Sequence, residues 1–283
     1  MSETPEAVTG VSAEGRIGAI DLSWERPAWE PLVDHVAVHA SDSSSVGISA
    51  ETLVGTTVYG FFRDDTLGTA AVERHYRLVT VGASGERSDP SSVVSATSTE
   101  SAAHQGRVLA QVGEFDSQST ELALAADPPA VVDDYADAFP DGVDFVYGES
   151  DPDTDWCYLH PGPDDSWGTE SDSTFRLRFE LESVPDNEVQ VAIWLVDTHS
   201  IDPGELEIVI NSESVAKVEL GPGGTQLPME SDATVIDSPL VPSFVEEVLP
   251  TRHLRAGENT LEIIKVTGAW HAYDAVGVFE RDE

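Results

Sequence analysis

DPDTDWCYLHPGPDDSW, residues Asp151–Trp167, carries two Trp, one Tyr, one His, the only Cys and three Pro among a run of Asp. Pro161, Gly162 and Pro163 break any helix or central strand, so the stretch reads as a loop. Trp156, Tyr158 and Trp167 flanked by carboxylates suit the faces and hydroxyls of sugars, and they suit equally a loop packed upon itself. Working outward, FRLRFEL (Phe175–Leu181) alternates apolar and charged residues as a half-buried strand does. VQVAIWLVDTHS (Val189–Ser200) is nearly continuous apolar and predicts a central strand covered on both faces. LEIVINSESVAKVEL (Leu206–Leu220) predicts a hairpin around Asn211-Ser212. VLAQVGEFD (Val108–Asp116) and STELALA (Ser119–Ala125) read as opening strands, and Ala130–Phe139 as a short helix. The pattern is all-β.

Composition narrows the function classes. The chain has 283 residues, enough for two domains, and 40% hydrophobic content supports packed cores. The 53 acidic residues against 14 Lys and Arg give a formal net charge of -39. Only Lys217 and Lys265 are lysines, and the acids are spread along the chain instead of forming a tail. Spread acidity with few lysines resembles proteins of extreme halophiles, where counter-cations screen self-repulsion. Such a charge repels phosphate backbones, so no nucleic acid is expected as a partner. No apolar run approaches the ~20 residues that span a bilayer. The N-terminal MSETPEAVTG lacks the basic and apolar regions of a secretory signal, so either the protein stays inside the cell or the chain is a processed or partial product. Cys157 alone makes no intrachain disulfide and reads as a buried structural thiol.

Residues 5–98 show short apolar alternations with turn residues every 8–12 positions, the pattern of a small sandwich. Trp24 inside LSWERP, the HVAVH strand, Tyr76 of HYRLVTV and the GERSDPSSVV exit resemble a fibronectin type III domain. That resemblance implies that the Tyr76 hydroxyl pins a neighbouring corner, and it implies a spacer, not chemistry. TSTESAAHQG (Thr97–Gly106) lacks periodicity, giving an expected division into a sandwich at 1–98, a linker at 99–106 and a second domain at 107–283.

The second part, through VGEFD (Val112–Asp116), DWCYLHPGPDDSWG (Asp155–Gly168), FRLRFELESVP (Phe175–Pro185), LVDTHS (Leu195–Ser200), LRAGENTLEI (Leu254–Ile263) and GAWHAYDAVGVFE (Gly268–Glu280), resembles the carbohydrate-binding-module-like jelly roll that ends rhamnogalacturonan lyases of polysaccharide lyase family 4. The resemblance implies a galactose-binding-like jelly roll. Those lyases carry their catalytic residues in a preceding domain that has no counterpart here, so no residue inherits a catalytic role.

Sugar recognition asks for aromatic faces with polar groups beside them. Trp156, His160 and Trp167, with Asp197 and His199, form one candidate ligand site; Trp270, His271 and Tyr273 form another. Asp197 and His199 share a face if the strand continues that far, and would equally tie the long loop to the sheet. The D-x-D-x-D run of Asp151, Asp153 and Asp155 suits a hard cation but departs from the calcium-loop pattern at Trp156. Asp274 is a candidate ligand for a structural calcium ion by resemblance to jelly-roll sugar modules; no other cofactor is expected. His160, His199 and His271 would make a zinc site only if the fold gathered them. No nucleophile elbow, phosphate loop or H-E-x-x-H motif is present. The expected role is non-catalytic recognition of a polysaccharide or oligosaccharide. The alternatives are one part of a polysaccharide lyase whose catalytic subunit is a separate chain, and a structural or protein-interaction module.

Overall fold

The computed structural model describes residues 4–27, 32–127, 130–168, 173–227 and 239–281. The chain forms two compact units, Met1–Ser101 and Ala102–Glu283. No described helix is long and apolar enough to cross a membrane.

The first unit is a fibronectin type III-like sandwich of a three-stranded and a four-stranded sheet. β1 (Thr9–Arg16), β2 (Ala19–Glu25) and β5 (Phe61–Asp64) form one sheet. β4 (Leu53–Thr57), β3 (Val33–Ser41), β6 (Glu73–Gly82) and β7 (Val94–Thr97) form the other, in that order. Ile20, Leu22 and Trp24 meet Val36, Val38, Tyr76 and Leu78 in the core between them. The buried Tyr76 hydroxyl donates to Asp64 Oδ2 at 2.8 Å, pinning the end of β5. A phenol hydroxyl left without such a partner in this core would cost about 1–3 kcal/mol.

The second unit is a jelly roll of two five-stranded sheets. In one, β17 (His271–Glu280) and β12 (Val189–Thr198) lie at the centre, with β15 (Ser243–Leu249) beyond β12. β8 (Arg107–Gly113) and the short β10 (Leu159–His160) take successive halves of the other edge of β17. The second sheet runs β14 (Glu213–Glu219), β13 (Glu205–Ile210), β16 (Gly257–Thr267), β11 (Thr174–Leu181) and β9 (Asp144–Val146). Phe175, Leu177, Phe179 and Leu181 of β11 are buried, the alternation their spacing predicts. β12 is buried at every position but Gln190, as a doubly covered strand should be. The β13–β14 hairpin turns on Asn211 and Ser212, both at positive φ, which matches the twist of the strands they join.

Two sequence readings differ from the structure or gain detail. Ser119–Ala125 is not a strand: hydrogen bonds from Leu122 to Ser119 and from Ala125 to Leu122 fold it into turns, with one bridge from Ala123 to Cys157. Its apolar spacing instead serves to bury Leu122, Ala123 and Ala125 in the jelly-roll core. Within 99–106, Thr99 and Ser101 donate backbone hydrogen bonds to Arg16 and Thr69, and α1 (Ala102–Gln105) opens the second unit. The helix read at Ala130–Phe139 is α2 (Val131–Ala138), which buries Val131 and Tyr135.

Candidate functional site

The acidic start of the aromatic loop is a helix start. Asp151 caps α3 (Pro152–Asp155) by accepting the Asp153 N–H at 3.2 Å, with Pro152 in the first turn. Asp155 Oδ2 accepts the Asp151 N–H at 2.8 Å, so the carboxylates at 151 and 155 are turned to the helix's own backbone. Past α3 the chain turns inward. Trp156 is 0% exposed and meets Phe145, Phe175 and Tyr273 edge-on at centroid distances of 6.1, 5.2 and 5.3 Å. Cys157 and Tyr158 are buried beside it, and burial pushes both their ionisations up, so the thiol is inert. Gly162 then crosses the start of β17 so closely that an added Cβ would lie 2.1 Å from the Gly268 carbonyl oxygen.

His160 stacks on Phe175 at 3.9 Å, and its Nδ1 pairs with the Tyr273 hydroxyl at 2.7 Å. Its ring lies 4.7 Å from that of His271, whose two nitrogens meet no hydrogen-bonding partner among the described residues. Burial pushes His160 down to about 3 and His271 well below the usual imidazole range, so both are neutral at pH 7. Trp270, His271 and Tyr273 are all buried to 2% exposure or less. Trp167 is half-buried, edge-on to Tyr135 at 5.5 Å, and its side chain hydrogen-bonds Asp165. Lys265, buried beneath this loop, donates to the Pro203 carbonyl, and burial lowers it to about 8.

Asp197 and His199 part company because β12 ends at Thr198, between them. Asp197 is buried and accepts from Gly224 N–H, Val241 N–H and the Thr225 hydroxyl at 2.7, 3.2 and 2.7 Å. It therefore ties together segments 223–225 and 240–241, not the aromatic loop. His199 Nδ1 accepts the Asp202 N–H at 3.0 Å, and its ring meets Trp270 edge-on. His160, His199 and His271 do not converge, and among the described residues no three His, Cys, Asp or Glu side chains gather to hold a metal.

Asp274, in the gap between β10 and β8 along β17, was the calcium candidate. Its Oδ1 accepts N–H groups of Gln118 at 3.0 Å and Asp116 at 3.4 Å. N–H donors repel a cation, and calcium needs about six to eight oxygen ligands. Among the described residues the buried Asp274 Oδ2 meets no hydrogen-bonding partner, and no three His, Cys, Asp or Glu side chains gather to hold a metal. Burial pushes the Asp274 carboxyl up to about 8, so it holds the 116–118 turn as a mostly protonated acid near neutral pH.

These placements correct the sugar-face reading of Trp156, His160, Asp197, Trp270, His271 and Tyr273. At 0–2% exposure they present no surface to a glycan. An open recess lies alongside. It runs beside β8 with a volume of about 560 Å³, within the ~300–1,000 Å³ range of ligand sites. Gln111 and Glu114 reach it from β8 and its exit, Glu121 from the following turn, Tyr147 from the end of β9, and Asp151 and Asp153 from α3. Tyr147 is 42% exposed and supplies an aromatic face. Glu121 Oε1 accepts the Glu114 N–H at 2.6 Å, which fixes its direction, and burial together with Asp116 and Glu114 raises its carboxyl. Sequence reading missed this set because its members come from three separated segments. The one local signal was Tyr147, an aromatic residue in the polar turn FVYGES.

A family model described as "CBM-like: Polysaccharide lyase family 4, domain III" matches residues 108–278. No curated protein matches the chain. Among solved structures, the fibronectin type-III domain of human fibronectin type III domain containing protein 3 is 15% identical over 37% of this chain and 95% of that one, with a TM-score of 0.31. A family 35 carbohydrate binding module from Clostridium thermocellum is 12% identical over 38% of this chain and 70% of that one, with a TM-score of 0.25. The Clostridium perfringens spore cortex lytic enzyme SleM is 15% identical over 34% of this chain, at a TM-score of 0.25. The chain spans 28% of that enzyme's length.

Proposed function

The chain belongs to the CBM-like domain III family of polysaccharide lyase family 4, and from that premise we propose that it is a non-catalytic module that binds a polysaccharide in the recess beside β8. The observation that carries this reading is the recess itself, an open groove of about 560 Å³ with the half-exposed Tyr147 ring among Gln111, Glu121 and Asp151. A sugar ring lays its C–H face on an aromatic plane while carboxylate and amide oxygens accept its hydroxyl protons. Tyr147 is the stacking platform in this reading. Gln111 and Glu121 orient the ring. The net charge of -39 supports a working medium of concentrated salt, where counter-ions screen the fold's self-repulsion.

The test is titration of the purified chain, in molar KCl, with a panel of plant and microbial polysaccharides. Tyr147→Ala should weaken binding roughly tenfold or more while the thermal transition stays within a few degrees. Binding to no glycan of the panel, or binding that Tyr147→Ala leaves intact, would overturn the reading.

A further inference from the structure

We infer that the recess beside β8 takes the interior of a single glycan chain, several residues at a time, and does not select chain ends. The inference rests on the glycan-binding reading of that recess. Its lining follows the strand and its exit from Val108 to Glu114, a run of ~20 Å at the rise of an extended chain. Val112 is a buried part of that lining, while Val108 at one limit and Glu114 at the other are exposed. Tyr147, from the end of β9, and Asp153, from α3, are exposed too. The recess is therefore a trough, not a pit.

Selecting a chain end requires something that rejects a longer chain, a wall where the next residue would lie or a polar group left unpaired by its linkage. Neither limit of the β8 lining is a buried side chain of that kind, so a glycan lying on Tyr147 continues past both. Volume sets how much of it is held. At protein-like packing density a hexose residue fills roughly 150–180 Å³, so about 560 Å³ holds about three to four of them. Drawn out over ~20 Å, the same volume is the width of one chain, not of several side by side. Stacking of sugar C–H groups on the Tyr147 ring and burial of apolar surface do not depend on ionic attraction. The contact therefore persists in concentrated salt.

The experiment is calorimetry in molar KCl on the full chain and on Tyr147→Ala. The ligands are ladders from disaccharide to octasaccharide cut from the unbranched polysaccharides of the panel, and each parent polymer in a short and a long preparation. Affinity should rise about tenfold or more from disaccharide to tetrasaccharide. Beyond that it should grow only in step with the number of registers a longer chain offers. With the polymers, the number of protein chains bound per polymer molecule should increase in proportion to polymer length. Affinity already complete at the disaccharide, or a stoichiometry that stays the same for short and long polymers, with Tyr147→Ala still abolishing binding, would overturn interior recognition and leave the glycan site standing. Failure of every ladder and polymer to bind through Tyr147 would remove the glycan site, and interior recognition with it.

Discussion

Residues 147–153 and residues 156–160 lie within fourteen positions of one another and meet opposite environments. The first group, through Tyr147, Asp151 and Asp153, lines an open recess. The second, through Trp156, Tyr158 and His160, is buried at 1% exposure or less. The divide is α3, whose Asp151 cap and Pro152 start a single turn that redirects the chain from surface to core. Aromatic density is thus a poor guide to a ligand face. Trp156 has its rings satisfied by Phe145, Phe175 and Tyr273, whereas Tyr147, alone in a polar turn, keeps a face to solvent.

The contrast can be broken most forcefully at Trp156. Trp156→Ala empties the centre of an aromatic cluster and should lower the stability of the second unit by about 3–5 kcal/mol, read from urea unfolding. A loss below about 1 kcal/mol would mean that the residue is not the packing centre the contacts imply.

Acid titration comes next. The folded-state pKa of His160 and of His271 lies below the unfolded value, so the unfolded state binds the extra proton. The stability each holds is complete above about pH 6.5 and is lost as pH falls below it. Per histidine the loss is about 2 kcal/mol by pH 5. His271→Leu, which also removes two buried ring nitrogens without partners, should therefore gain about 2 kcal/mol on the native chain between pH 6.5 and 5. Parallel pH profiles for the two proteins would contradict the burial of a neutral imidazole.

Asp274 has the opposite sign. Its folded-state pKa is raised to about 8, so the folded state binds the extra proton and stability is lost as pH rises through the interval from the unfolded value to about 8. Asp274→Asn keeps an acceptor for the Gln118 N–H and should gain on the native chain by up to about 1.4 kcal/mol per pH unit across that interval. Calcium should leave the transition of both proteins unchanged. A calcium-dependent rise in the native chain, lost in the variant, would restore the metal reading that the N–H donors argue against.

Tyr147→Ala gives the smallest effect on folding, within about 0.5 kcal/mol, as an exposed position should.

The fold was legible because its signals are local. The alternation of Phe175–Leu181, the apolar run of Val189–Thr198 and the Asn211-Ser212 turn each specify strand or hairpin without help from distant residues. The Trp24 and Tyr76 framework of the first sandwich has the same character, since one hydroxyl bond to Asp64 explains the tyrosine. Ser119–Ala125 misled because apolar spacing of two fits a buried turn as well as a strand, and only the partner Cys157 decides. The binding residues were harder still. Asp197 and His199 have the right spacing for a shared face, but β12 ends at Thr198, before His199 can share it. Gln111, Glu121 and Tyr147 are ordinary residues until β8, its following turn and β9 enclose a recess.

Hydroxyl-radical footprinting of the chain with a saturating neutral glycan bears most directly on the division between surface groove and buried loop. Tyr147 and the side chains of 111–121 should lose reactivity on binding, while Trp156 and Tyr158 stay unreactive with or without the glycan. Protection that appears elsewhere, around His199 and Trp167 for example, with Tyr147 unchanged, would contradict it.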